Sequence, residues 1–428
     1  MRSTTESKVP PEAVRLGLGS KVVRIVSPQA LVRHLQTLPA GTPRVVIGGN
    51  HAVPWQLVEA AENSWEQYRL FMLNAPAGLP DRPGVVLETP FVGAGMRGRE
   101  GLAYYPCRLS LVPALLKRRT VPDVVMVHVA PPRDGLVSLG VEVNILPAAI
   151  EAARAAGGIV VAQVNPRMPY TYGDAVLHVD DVDLGVETDA PLGELRRAET
   201  SDVQRLIGEN VAGLIGDGAT LQLGIGAIPD ATLDALHERR KLRVWSEMIS
   251  DGVMKLDRAG ALDDDVLTAS FAFGTAELYE WLDGNRRIVF CRTERTNDPA
   301  LIARQAAMTS VNAALQVDLF AQANASYARG GIYSGFGGQT DFVVGALHST
   351  GGQAIIALPS WHGATNSSTI VPRLDTPATS FQHSYVVTEH GTATIWGRPQ
   401  PDQAAELIDH AAAPAARDEL RAHARKVF

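Results

Sequence analysis

The chain is poor in cysteine, with Cys107 and Cys291 the only two in 428 residues. That excludes a disulfide framework and a zinc site built from thiolates, so both are expected as small buried apolar side chains. The eleven histidines contain no pair at metal-ligand spacing, and no metal is expected. Excess positive charge is missing too. The 39 Lys and Arg against 46 Asp and Glu leave a net charge of −7, without the basic footprint needed to neutralise nucleic-acid phosphates. Apolar runs never approach the ~20 residues of a bilayer span. Met1 to Ser20 carries charges and two prolines in place of an apolar signal-peptide core. Neither nucleic acid nor membrane is an expected partner, and the expected location is cytoplasmic. Also absent are a Gly-x-Ser-x-Gly elbow, a Walker phosphate loop and a Ser-His-Asp set.

What is present is the balance of an ordinary globular enzyme, 46% apolar and 20% charged, rather than that of a disordered or fibrous chain. At ~100–200 residues per domain the length points to two or three domains. Short β-branched runs alternate with longer helical patterns, which predicts βαβ units and a largely parallel sheet. Arg44 to Ile47 precedes a helix near residues 54–66; Asp123 to Val127 reads as a strand; Gly158 to Ala162 follows an Ala-rich helix around 146–156.

The two halves resemble each other. Gly49-Asn50-His51-Ala52-Val53-Pro54 and Gly224-Ile225-Gly226-Ala227-Ile228-Pro229, 175 residues apart, each follow a strand and precede an apolar-periodic helix. A second pair runs from Asp123 through Gly135 and Ser138, and from Asp318 through Gly331 and Ser334. Periodicity lapses near Pro191 to Thr200. A fresh helix then starts with Ser201 and Gln204 as a capping box, and with Val203, Leu206, Ile207, Val211, Leu214 and Ile215 as its apolar face. The class is α/β, with two similar domains expected over residues 1–195 and 196–428.

Residues 216–252 hold the most chemical information. Thr220 to Leu223 reads as a strand, and Gly224-Ile225-Gly226 as a tight turn whose missing side chains let backbone N–H groups approach a ligand. Pro229 is expected at the first helical position. A second strand, Leu242 to Trp245, delivers Ser246-Glu247-Met248. A parallel crossover brings the carboxyl ends of both strands to one sheet edge, where ligands of open α/β sheets bind. Glu247 and the Gly224–Gly226 turn are therefore expected to face one cleft.

Glu247 also lies 21 residues after Gly226, close to the spacing at which a dinucleotide fold places its ribose-binding acid, although Pro229 stands where the last fingerprint glycine belongs. A second Gly-rich loop, Tyr333-Ser334-Gly335-Phe336-Gly337-Gly338-Gln339, reads either as a bulged turn or as backbone that touches a ligand.

With these residues in view, the sequence resembles the acetyl-CoA hydrolase/transferase family, which includes 4-hydroxybutyrate, butyrate:acetate and succinate:acetate CoA-transferases. The matches include Tyr105-Pro106, Leu109-Ser110 and Val112-Pro113; Pro131-Pro132 through Ser138-Leu139-Gly140; Val164-Asn165-Pro166-Arg167-Met168-Pro169; and Leu221 to Pro229. They continue with Ser246-Glu247-Met248, Ser250-Asp251-Gly252, Thr296-Asn297-Asp298-Pro299, Gly335 to Phe342 and Val387-Thr388-Glu389-His390-Gly391.

The resemblance implies two CoA-transferase-like α/β domains, Glu247 as nucleophile, and ping-pong transfer of CoA between a short-chain acyl-CoA and a carboxylic acid through a glutamyl-CoA thioester. It also implies oxyanion or CoA-binding donors at Gly224, Gly226, Ala227 and Ile228 and at Gly335, Gly337 and Gly338. Asn297 is placed by it on the substrate carboxylate. No cofactor is expected beyond coenzyme A as substrate, and a homo-oligomer, dimer or tetramer, is expected. With a reference pKa near 4.3, Glu247 is expected to be ionised at pH 7. The alternatives are an acyl-CoA hydrolase using the same glutamate and, outside the class, a dinucleotide-dependent oxidoreductase or a non-catalytic acyl-CoA binding protein.

Four stretches depart from the family pattern: Trp245, Gln163, Thr376 to His383, and Ala411-Ala412-Ala413-Pro414. These bear on acyl specificity, since Trp245 either narrows the acyl pocket or packs in the core.

Overall fold

The computed structural model describes residues 23–39, 41–195, 199–378 and 380–428. The stretch Met1 to Ser20, read above for its lack of a signal-peptide core, lies outside them, as does residue 196, the expected start of the second domain.

The β-branched runs form strands as expected. Val45, Val46 and Ile47 are buried in the strand Arg44–Ile47, and all six residues of Val124–Val129 are buried. Runs without polar alternation mark strands covered on both faces, as a parallel sheet between helices requires. The helices Trp55–Ser64 and Leu146–Ala155 and the strand Ile159–Val164 fall where periodicity places them.

Seven parallel strands make the first sheet, in the order Leu184–Glu187, Ile159–Val164, Val124–Val129, Arg44–Ile47, Tyr68–Phe71, Val85–Thr89, Ala103–Tyr104. The second sheet has the order Gly391–Thr394, Tyr385–Thr388, Gln353–Ala357, Met308–Ala313, Thr220–Leu223, Arg243–Val244, parallel except for its Gly391–Thr394 edge. Written this way the two sheets share the order of five parallel strands, in which Arg44–Ile47 corresponds to Thr220–Leu223 and Val124–Val129 to Met308–Ala313. The halves are not sealed from each other. One apolar cluster holds Val125 and Leu139 together with Ile207, Leu221 and Ile249, and Tyr172–Gly173 completes a small sheet with Ile288–Phe290 and Leu267–Ala269.

The second pair of similar segments does not correspond in space. Asp123 precedes a strand of the large sheet and its Oδ2 accepts from Arg44 N at 2.7 Å. Asp318 instead ends the short strand Gln316–Asp318, and its Oδ1 accepts from Phe320 N and Gln322 N. An aspartate that closes a local turn produces the same short pattern as one that opens a strand.

The helix Asp202–Gly213 has its capping box, with Gln204 N donating to Ser201 Oγ at 3.3 Å and Ser201 N to Gln204 Oε1 at 2.9 Å. Ile207, Val211 and Ile215 are buried, but Val203 and Leu206 are 38% and 39% exposed. The helix packs on Ala227–Asp234 at Gly208, where a Cβ would lie 2.6 Å from the carbonyl carbon of Ala231, and its first turn precedes that contact. Cys291 is buried as expected, whereas Cys107 is only half-buried. Among the described residues no helix is long and apolar enough to cross a membrane.

Candidate active site

The site grows from the carboxyl ends of two neighbouring strands. Thr220 and Leu221 pair in parallel with Arg243 and Val244, so the crossover returns the chain to the same sheet edge. After Leu223 the chain turns through Gly224-Ile225-Gly226. Gly226 has φ 121° with open space where a Cβ would stand, so glycine is needed there for its conformation rather than for room. The helix starts at Ala227, two residues earlier than expected, which makes Pro229 its third residue. Proline is tolerated there because N–H groups of the first turn have no intrahelical acceptor.

Beyond the second strand the Glu247 backbone is held on its carbonyl side, which accepts from Ser270 N at 2.8 Å and Phe271 N at 3.0 Å. Its half-buried side chain enters a cavity of 230 Å³, where Oε2 accepts from Asn297 Nδ2 at 3.1 Å. The Gly-rich loop closes over it. A Cβ on Gly338 would lie 1.9 Å from Glu247 Oε2 and 2.4 Å from Asn297 Nδ2, so only glycine admits the carboxylate this close to the loop backbone. The first half of the chain holds that loop, since Val92 N donates to Ser334 O at 2.6 Å and Leu109 N to Gly337 O at 2.9 Å. The loop backbone thus closes on the Glu247 side chain at Gly338.

Glu247, Gly224, Gly335, Gly337 and Gly338 line one cavity, as expected of them. Gly226, Ala227 and Ile228 do not line it, because the helix begins at Ala227 and carries them away from the rim; the neighbouring Ile225, 44% exposed, stands there instead. Asn297 is not on the cavity wall either. It is fully buried, with Oδ1 accepting from Thr296 Oγ1 at 2.8 Å and Nδ2 turned to Glu247. The contact expected with a substrate carboxylate is therefore made with the Glu247 carboxylate.

Sequence reasoning missed the wall contributed by the first half. Asn50, Asn74 and Asn144 line the cavity beside the apolar Leu73, Phe91 and Phe271. Behind them lies Glu142, 2% exposed, with Oε2 accepting from Asn50 Nδ2 at 2.9 Å and Oε1 from Asn144 Nδ2 at 2.6 Å. Asn50 carries the one available signal. It follows the first strand as Ile225 follows the second, and its φ of 49° marks a sharp turn at a sheet edge.

Burial pushes the Glu247 carboxyl up to about 7, with the nearby negative charges of Asp341 and Glu142 adding to the rise and the Asn297 hydrogen bond opposing it. The expectation of a fully ionised glutamate at pH 7 is corrected accordingly, because a carboxylate in a small, largely apolar cavity loses hydration. Burial likewise pushes Glu142 up to about 7 against the N–H donors of Asn50, Asn144 and Gly49.

Two departures from the family pattern lie off the site. Trp245 packs on the apolar cluster of the second sheet, and its Nε1 donates to Thr296 O at 3.0 Å. It is a core residue rather than a pocket wall. Gln163 is buried, accepts from Gln56 N at 3.0 Å and meets His128 Nε2 at 3.1 Å. Among the described residues no group of three His, Cys, Asp or Glu is arranged to hold a metal ion.

Two family models match, described as the acetyl-CoA hydrolase/transferase N-terminal domain over residues 88–191 and C-terminal domain over residues 274–424. The chain is 41% identical to the 4-hydroxybutyrate coenzyme A transferase of Clostridium kluyveri over 338 residues, 76% of this chain and 78% of that one. A crystal structure of the 4-hydroxybutyrate CoA-transferase of Porphyromonas gingivalis is similar with TM-score 0.78 and 32% identity, over 95% of this chain and 98% of that one. An acetyl-CoA hydrolase of Kluyveromyces lactis is 30% identical over 201 residues, 45% of this chain and 38% of that one.

Proposed function

Because the chain belongs to the acetyl-CoA hydrolase/transferase family, we propose that Glu247 is the nucleophile of its CoA transfer. The enzyme is a CoA-transferase, since the relatives matched over most of its length carry that activity and the hydrolases are more distant. In the proposed sequence a Glu247 carboxylate oxygen attacks the acyl-CoA carbonyl carbon, forming a mixed anhydride and releasing CoA thiolate. The thiolate then attacks the Glu247 carbonyl carbon, forming a glutamyl-CoA thioester and freeing the acyl carboxylate. An incoming carboxylate reverses both steps, so the kinetics are ping-pong.

Each tetrahedral intermediate carries an oxyanion beside Glu247, and the Gly338 segment of the Gly-rich loop borders that carboxylate. One well-placed donor is worth ~3–4 kcal/mol. The division of labour we propose follows the chain, with residues up to 195 walling the acid side and residues 196–428 carrying the nucleophile and both glycine turns. CoA enters and leaves as substrate rather than as a resident cofactor. We assign it short-chain acids, on the strength of a 230 Å³ cavity walled by Leu73, Phe91, Phe271 and Phe336.

The observation that carries this reading is the contact of the Glu247 carboxylate with Asn297 and with the space at Gly338. Glu247→Ala should cut turnover at least a thousandfold with the fold preserved, and acyl-CoA with borohydride should modify Glu247 in the wild type. Retained turnover, or reduction elsewhere, refutes the assignment. Exchange of labelled acid into acyl-CoA measures transfer, and release of free CoA without an acceptor measures hydrolysis, which needs water at the anhydride or thioester.

A further inference from the structure

The wall missed by the sequence is built in one direction. Asn74 Nδ2 donates to Asn50 Oδ1 at 2.7 Å, Asn50 Nδ2 donates to Glu142 Oε2 at 2.9 Å, and Asn144 Nδ2 donates to Glu142 Oε1 at 2.6 Å. Asn144 Oδ1 is taken by Ile145 N. Each amide is therefore held with its nitrogen toward Glu142, or toward the next amide in line. Each amide nitrogen carries two N–H bonds, and the wall uses one. Three N–H bonds remain on residues that line the cavity.

The backbone ties this wall to the proposed nucleophile. Glu142 forms an antiparallel bridge with Phe271, whose N–H donates to Glu247 O at 3.0 Å. Of the other amides on the cavity, Gln339 opens the helix after the Gly-rich loop, and Gln222 and Asn312 belong to the second sheet, where Gln222 Oε1 accepts from Ser310 Oγ and Asn312 Nδ2. They adjoin the Gly224 turn. Among the described residues no lysine or arginine lines the cavity, so an acid entering as its anion meets neutral donors there.

We propose that Asn50, Asn74 and Asn144 form the subsite that holds the carboxylate of the incoming acid against the Glu247 thioester, and that Glu142 is the positioning residue that fixes their donors. The proposal rests on Glu247 being the CoA carrier. It follows that the free acid depends on this wall more than the acyl-CoA does, because acyl-CoA has the whole CoA body to bind by.

Steady-state kinetics with the acid and the acyl-CoA varied separately test the subsite, using Glu142→Gln and Asn74→Ala. A Gln at 142 offers one acceptor where two amide nitrogens need one each, so an amide must turn and present its oxygen to the anion. Asn74→Ala removes the last donor of the line at a half-buried position. The Michaelis constant for the acid should rise at least tenfold in Glu142→Gln and several-fold in Asn74→Ala. In both, the value for acyl-CoA and the acyl-CoA-dependent borohydride labelling of Glu247 should stay within threefold. Acid constants within twofold of wild type, or equal rises for both substrates, overturn the subsite, and Asn74→Ala decides if Glu142→Gln does not fold. Absence of labelling in the wild type overturns the Glu247 reading instead, and the subsite with it.

Discussion

The Glu247 carboxylate occupies the space that a side chain on residue 338 would need, with Oε2 1.9 Å from the position of a Cβ built on Gly338. The carboxylate can sit there only because the loop carries no side chain at that position. Since the loop is also bonded to Val92 and Leu109 of the first half, it cannot withdraw without breaking contacts between the halves.

Gly338→Ala should therefore displace the carboxylate rather than the loop. We expect turnover at least a hundredfold lower, lost borohydride labelling of Glu247, and a modestly lower melting temperature, because the added methyl meets the buried Asn297 amide as well as the carboxylate. Labelling and turnover near wild-type values would show that the two groups do not act together.

The pH dependence follows from the two carboxyls raised to about 7. A nucleophilic carboxylate must be ionised, so kcat/KM for acyl-CoA should rise through about pH 7 and be roughly tenfold lower at pH 6 than at pH 8. The apparent value belongs to the Glu247 and Glu142 pair, whose charges interact. Stability runs the opposite way. The folded state binds more protons than the unfolded one between about pH 4.5 and 7, so stability falls as pH rises through that window. Glu247→Gln removes the group and should stabilise the protein by roughly 1–3 kcal/mol at pH 8, and by little at pH 5. A flat rate profile from pH 5 to 8, or equal melting shifts at both pH values, contradicts this.

Asn297 tests the electrostatics from the other side. Its Nδ2 hydrogen bond favours the ionised form of Glu247, so Asn297→Ala should move the rising limb of the rate profile to higher pH and lower turnover ten- to a hundredfold at pH 7. Part of the loss should return at pH 9. If the limb stays in place, Asn297 acts by some route other than the charge on Glu247.

The strands Arg44–Ile47, Val124–Val129, Ile159–Val164 and Thr220–Leu223, the return of the chain at Arg243–Val244 and the two glycine turns were legible, because each is local. β-branched runs and glycines report their own backbone within a few residues. What was not legible depends on contacts between the halves. Asn50 and Asn144 reach the cavity, with Glu142 behind them, through the order of the first sheet and the pairing of Glu142 with Phe271, neither of which any short window encodes. Asn297 was legible as a residue, whereas its hydrogen bond to Glu247 was not, since that partner is 50 residues away in the chain. The match at Asp318 failed because a turn made by one aspartate imitates the start of a strand. Val203 fits the helical period but lies in the first turn, ahead of the packed contact at Gly208, while Leu206 is exposed beside the buried Ile207.

Trp245 offers the sharpest contrast between a residue near the nucleophile in sequence and one near it in chemistry. Two positions before Glu247, its ring nevertheless packs on the core of the second sheet, and its Nε1 donates to Thr296 O at 3.0 Å. Trp245→Phe keeps most of the apolar area and removes that bond, at a cost of about 1 kcal/mol. Thr296 adjoins Asn297, so loss of the bond loosens the residue that holds Glu247, and turnover should fall a few-fold for every acid alike. The ranking of C2 to C6 acids in acyl exchange should be unchanged, because the ring does not line the cavity. A variant that newly accepts longer acids would put the indole back in the acyl pocket, and a melting temperature several degrees higher would mean that the bond to Thr296 contributes nothing to the fold.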